Sequence, residues 1–213
     1  MAALSEALGK QEKAQDYERR AADLADAINK TMWDETDGFY YDRNERSGMP
    51  VKVKSITGFM PLWAGIAPAD RAKRLVEEHL LNENRFWTPY PVATWSKDEP
   101  DYYQEKEKWE CNWRGPVWVP TNYVIFHGLR KYGYEDAARV LARRTAAMAL
   151  DEPHTREYYN AETGSGMGLN PFWGWSALAY LMPLEWAAGY DPTSLEDDVR
   201  PLASELMGIS FKP

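Results

Sequence analysis

The stretch "NWRGPVWVPTNYVIFHGLRKYGYEDAARVLARRTAAMAL", residues 112–150, decides the fold. Pro116 can open a helix that runs to Tyr132, although Pro120, which has no N–H, unsettles its first turn. Gly133 closes that helix, and the segment beyond it runs back to Leu150 as an antiparallel helical partner. Ahead of this hairpin stand Trp113 and Trp118, set around Arg114 and a rigid Gly-Pro step. Asn, Arg, Gly and Pro are poor core material, yet indole rings are costly to leave exposed. The stretch therefore couples a scaffold element to a surface that is both polar and aromatic.

The same pattern extends outward along the chain. Leu4, Ala7 and Leu8 precede Gly9, a helix stop, so the first helix has only about two turns. A second helix is expected from Gln11 to Thr31, with Tyr17, Ala21, Leu24 and Ile28 on one face. "WDETDGFYYDRN" (33–44) gives a turn at Asp37-Gly38 and a short aromatic strand. "SITGFMPLWAGI" and "PADRAKRLVEEHLL" form the next pair, with Pro68 in a first helical turn. From Asn82 to Cys111 no period is visible, and the content (Phe86, Trp87, Tyr90, Trp95, Tyr102, Tyr103, Trp109) is wrong for disorder, so an ordered functional loop is expected. A second irregular loop, Asp151 to Pro171, leads to the apolar helix "FWGWSALAYLMPLEWAAG". Helix pairs with short turns on one side and long aromatic loops on the other predict an all-α scaffold with one decorated face. The body is expected to span residues 1–189, with a proline-punctuated extension, 190–213, packed on it.

At 213 residues the chain can bury a real core, and its formal charge of −8 argues against nucleic-acid and anionic-membrane partners. Cys111 is the single cysteine, so no internal disulfide framework exists. No apolar run of about 18 residues occurs, and "MAALSEALGK" lacks the pattern of a signal peptide. A cytoplasmic location without membrane contact is the expectation. Ten Trp and thirteen Tyr are the outliers, and many sit in irregular segments where core filling does not account for them.

The chemistry narrows by elimination. His79, His127 and His154 are scattered, so no metal or cofactor is expected. "GSGMG" (164–168) follows no expected strand and lacks a lysine, so it is no phosphate loop. Carboxylates remain. In "HTREYYNAETGSG" Glu157 stands against Tyr158 and Tyr159, which could fix its rotamer and partly desolvate it, as acid–base work requires. A solvated loop glutamate is the plainer alternative, and more so for Glu162 beside the turn tip. Trp113, Arg114 and Trp118 offer ring faces for sugar C–H patches and a guanidinium for hydroxyls. Their plainer alternative is Trp118 in the core and Arg114 paired with an acid.

"NWRGPVWVPTNYVIFHGLRKYG", "EYYNAETG" and "FWGWSALA", with "MWDETDGFYYD" before them, resemble the trehalase-like glycoside hydrolases. They are most similar to glycoside hydrolase family sixty-three, the processing α-glucosidase and mannosylglycerate or glucosylglycerate hydrolase type. The resemblance implies an (α/α)6 toroid, here a partial barrel of about seven helices with long aromatic loops. It implies inversion with Glu157 as general base, Trp113, Arg114 and Trp118 lining the sugar pocket, and Trp173 and Trp175 on its wall. The family's general acid, in an Asp-Asn-Ser block, has no counterpart here; Asp98 and Asp101 match a later loop. The chain thus reads as the C-terminal part of a catalytic domain, nearly inactive alone and expected to self-associate or bind a missing N-terminal half. A non-catalytic carbohydrate-binding half-toroid is the alternative, as is an unrelated hairpin array with aromatics in its core.

Overall fold

The computed structural model describes residues 1–105, 111–168 and 173–190. Among them are seven α-helices and two small antiparallel hairpins. Helix α1 (Ala2–Ala7) ends at Gly9, whose φ is +67°. There Lys10 N–H donates to Ser5 O and Gly9 N–H to Glu6 O, the paired bonds of a Schellman stop. Helix α2 (Gln11–Thr31) has the expected bounds, but its predicted apolar face is mostly uncovered. Ile28 packs against the core, as does Met32 beyond the helix, while Ala21 and Leu24 are exposed.

Strands β1 (Trp33–Asp34) and β2 (Phe39–Tyr40) pair around the Asp37-Gly38 turn. A 3-10 turn at Ile56–Phe59 runs into α3 (Met60–Ala64). Helix α4 (Ala69–Arg74) starts one residue after Pro68, which is its N-cap, and widens into a π turn over Leu75–Leu80. The decisive hairpin is α5 (Val119–Lys131) and α6 (Glu135–Leu150), with Gly133 at φ +80° between them. Helix α5 begins three residues later than Pro116 suggested. Val117 is held in a β-bridge with Tyr159, and Trp118 is extended, so helical geometry starts only at Val119. Pro120 then falls in the first turn, where a missing N–H costs nothing. Helix α7 (Leu178–Ala188) follows a 3-10 turn at Gly174–Ala177.

Helix α5 is the hub, packing on α3, α6 and α7. A Cβ at Gly128 would lie 3.1 Å from Leu62 and from the backbone of Trp63, so the glycine sets how closely α3 and α5 approach. Phe39, Phe59 and Phe86 pack edge-on or stacked beneath the loops, with Phe59 and Phe86 centroids 4.7 Å apart. Short connections (8–10, 65–68, 132–134) alternate with long ones (32–55, 81–118, 151–173), which places the long ones at one end of the hairpins. The long loop is ordered over its described part, 82–105: Phe86, Val92, Ala93, Thr94 and Ser96 are buried. Trp109 and the extension 191–213 lie outside the described residues.

Candidate active site

Two loop segments build the site. Val117 and Tyr159 exchange both backbone hydrogen bonds, at 2.7 and 2.9 Å, which joins the strand β3 (Tyr158–Tyr159) to the end of the Trp-Arg-Gly-Pro segment. The far side of that segment is fixed by Thr94, whose Oγ1 donates to Pro116 O and accepts from Gly115 N–H. Asn112 is buried: its Nδ2 donates to the carbonyls of Tyr103 and Glu105, and its Oδ1 accepts from Arg114 N–H. These bonds hold an irregular backbone that no helix or sheet supports.

The aromatic rings form a continuous stack. Trp113 and Trp118 centroids are 3.9 Å apart and 12° from parallel, and Tyr158 lies 4.9 Å from Trp118 at 18°. Trp175 stands 6.0 Å from Trp118 and 4.6 Å from Trp173. Exposure divides the roles. Trp118 is 3% exposed and Nε1 donates to Asn112 O, so it backs the stack and offers no face to a ligand. Trp113, at 44%, and Trp175, at 39%, are the most exposed indoles of the stack, with Trp173 half-buried. Arg114 donates to Tyr103 Oη at 2.8 Å and lies 4.5 Å from the centre of that ring.

Glu157 lies within this group, 8% exposed. Trp175 Nε1 donates to its carbonyl at 3.0 Å, and the Cys111 thiol donates to its Oε1 at 3.6 Å. Burial raises the Cys111 pKa, and the charge of Glu157 raises it further. Burial likewise pushes the Tyr158 phenol up. Glu162 belongs elsewhere: its Oε1 accepts from Tyr102 Oη at 2.8 Å and pairs with Lys97 at 3.2 Å. The structure thus brings Glu157, Trp113, Trp118 and Trp175 into one cluster, with Trp173 beside Trp175 and Arg114 in the same loop as Trp113. Cys111, Asn112, Tyr103 and Gly168 complete it. Tyr103 and Gly168 belong to the aromatic loop and the glycine-rich run that the sequence marks without giving them a place in the site, while Cys111 and Asn112 carry no sequence signal for one.

Two surface hollows lie apart from this chemistry. One of about 540 Å3 lies against α6 and Pro183 of α7, and another of about 320 Å3 lies between α2 and α3. Neither is lined by Glu157 or by the stacked rings. No helix among the described residues is long and apolar enough to cross a membrane.

Helical hairpins with long loops gathered at one end are the arrangement of the helical-barrel glycoside hydrolases. The chain belongs to the family of the mannosylglycerate hydrolase MGH1-like glycoside hydrolase domain, whose model matches residues 1–176. It is 36% identical over 155 residues to the mannosylglycerate hydrolase of one strain of Thermus thermophilus, covering 71% of this chain and 34% of that one. It is 33% identical over 129 residues to the cytosolic neutral trehalase of Kluyveromyces lactis, covering 61% of this chain and 17% of that one. The crystal structure of the family-sixty-three mannosylglycerate hydrolase from another Thermus thermophilus strain, in complex with glucose, superposes with a TM-score of 0.70 at 30% identity. That match covers 85% of this chain and 43% of the other. The fold is accordingly part of an (α/α)6 toroid, and the chain spans less than half the length of these relatives.

Proposed function

We propose that this chain carries the general-base half of an inverting α-glycosidase site, with Glu157 removing a proton from the water that attacks the anomeric carbon. The sugar ring stacks on Trp113 and is flanked by Trp175, with Trp118 as backing and Arg114 and Tyr103 supplying polar contacts. The observation that supports this best is that Glu157 is buried, with its carbonyl held by the Trp175 indole and its neighbour Tyr158 stacked on Trp118, so that indoles from two segments more than forty residues apart in sequence meet around it. Mannosylglycerate and related α-glycosides are the proposed substrate class, by likeness to the hydrolases named above.

Inversion requires a second carboxyl about 6.5–9.5 Å from the base to protonate the leaving oxygen. In this reading it comes from residues outside these 213, as does the other wall of the pocket. General acid catalysis is typically worth about 10²–10⁴-fold, so an unactivated glycoside should survive the isolated chain. A glycosyl fluoride needs little protonation of its leaving group and tests the base alone. The α-mannosyl or α-glucosyl fluoride should be hydrolysed slowly, and Glu157→Gln should abolish release of fluoride while mannosylglycerate still binds. Equal turnover by Glu157→Gln would overturn the assignment. Saturable binding with no fluoride release from the unmodified chain would point instead to a carbohydrate-binding module.

A further inference from the structure

We infer that Gly168 is a positioning residue for Glu157: its bare backbone closes one side of a slot whose other side is the Cys111 thiol. This rests on the reading of Glu157 as the base. The strand β4 (Gly166–Met167) pairs with β3 so that Tyr158 faces Met167 and Tyr159 faces Gly166. Carrying that register one step further sets Gly168 directly across from Glu157. Opposite residues in an antiparallel pair normally keep their Cβ atoms about 4.5–5.5 Å apart. Here the hairpin is pinched. A Cβ on Gly168 would collide with Cβ of Glu157 and lie 2.7 Å from its Oε2. The φ of +109° at Gly168 also disfavours any side chain.

Gly168 is therefore the residue that lets the Glu157 side chain occupy space a side chain on the returning strand would fill. On the opposite side Oε1 accepts from Cys111 Sγ at 3.6 Å. The room left by the missing Cβ at Gly168 lies beside Oε2 and the thiol bond holds Oε1, so the two together limit where the group can turn, which is what directing a lone pair at one water demands. In the glycine-rich "GSGMG" it is thus the last glycine that makes room for the carboxylate. Gly168→Ala should push the carboxylate out of the slot.

Cys111, the only cysteine in the chain, reports on the slot without any need for turnover. Its thiol is held above its ordinary pKa by burial and by the Glu157 charge. Removing that charge with Glu157→Gln should shift the pH profile of iodoacetamide alkylation to lower pH. Gly168→Ala should move the profile in the same direction, because it drives the charge away. On the glycosyl fluoride it should lower kcat by as much as a hundredfold, the cost of roughly 1 Å of misplacement, with KM little changed. An alkylation profile in Gly168→Ala identical to the unmodified chain would overturn the inference, as would an unshifted profile in Glu157→Gln. Should Gly168→Ala melt too low for assay, Glu157→Gly in the same chain should restore part of the lost Tm, since it removes the colliding Cβ. Failure to restore any would likewise overturn it. If both profiles shift while no fluoride is released by the unmodified chain, the slot stands and the catalytic reading falls.

Discussion

Asn122 gives the most demanding test of how the long loop is held. It is fully buried in the first turns of α5, and its amide is used on both sides. Oδ1 accepts from Val92 N–H at 3.0 Å, while Nδ2 donates to Pro91 O and to Thr145 Oγ1, both at 2.9 Å. One side chain thus ties the loop, α5 and α6 together. Each such bond contributes about 1 kcal/mol net, and a buried group left without a partner costs about 1–3 kcal/mol. Asn122→Ala strands the Val92 N–H and the Pro91 carbonyl and leaves a small void, so a loss of about 3–5 kcal/mol is expected. Thr145→Val removes one Asn122 bond and the Thr145 bond to Leu141 O, and should cost only about 1–2 kcal/mol. Urea unfolding of the two variants, with equal m-values, measures both numbers. The loop beyond Val92 carries Thr94, which fixes the Trp-Arg-Gly-Pro turn, so Asn122→Ala should also sensitise residues 82–105 to proteolysis. A loss below about 1 kcal/mol, or a Thr145→Val variant as damaged as Asn122→Ala, would refute the claim that this amide anchors the loop.

His79 predicts a pH dependence of stability. Its Nε2 lies 2.9 Å from Asp37 O and its Nδ1 lies 2.8 Å from Arg85 Nη1, so the neutral ring donates to the carbonyl and accepts from the guanidinium. Burial, and then the Arg85 charge, lower its pKa from 6.5 to about 4. The unfolded chain binds the proton first, so this contribution is complete above pH 6.5 and is lost as pH falls toward 4, by at most about 3 kcal/mol. His79→Gln should flatten that part of a urea-midpoint profile. The pKa values of Asp34 and Asp37 are lowered by hydrogen bonds from Lys52, and their effect falls below pH 3.8. The indoles should separate by role: Trp118→Ala should cost about 3–5 kcal/mol of stability as a core deletion. Trp113→Ala should instead leave the fold nearly intact and weaken mannosylglycerate binding about tenfold in calorimetry, the equivalent of one stacking contact. Equal stability losses in the two variants would show that Trp113 is structural.

Helices were legible because their physics is local. Gly9 and Gly133 announce helix ends through the conformation that glycine alone adopts cheaply, and the bounds of α2 follow from an uninterrupted run of helix formers. What was not legible depends on contacts remote in sequence. Nothing near Pro116 says that Val117 will bridge to Tyr159, and that bridge delays the start of α5. Nothing in the spacing of Tyr17, Ala21, Leu24 and Ile28 says that much of the stripe finds no cover among the described residues. An amphipathic period requires a partner and does not supply one.

The two sides of the site were unequally readable for the same reason. Glu157 and its tyrosines are sequence neighbours, so ring and carboxylate had to lie close whatever the fold. Which indole keeps an outward face depends instead on stacking order. The sequence leaves Trp118 open to a core reading without deciding it; in the fold Trp118 leads directly into α5 and is pinned by its bond to Asn112 O, whereas Trp113 sits on the irregular turn before it. Rigid secondary structure draws the nearer ring into the core and leaves the outer one to face solvent. A loop that must be both ordered and open can be built this way: a buried ring fixes the geometry, and the ring stacked on it keeps an outward face.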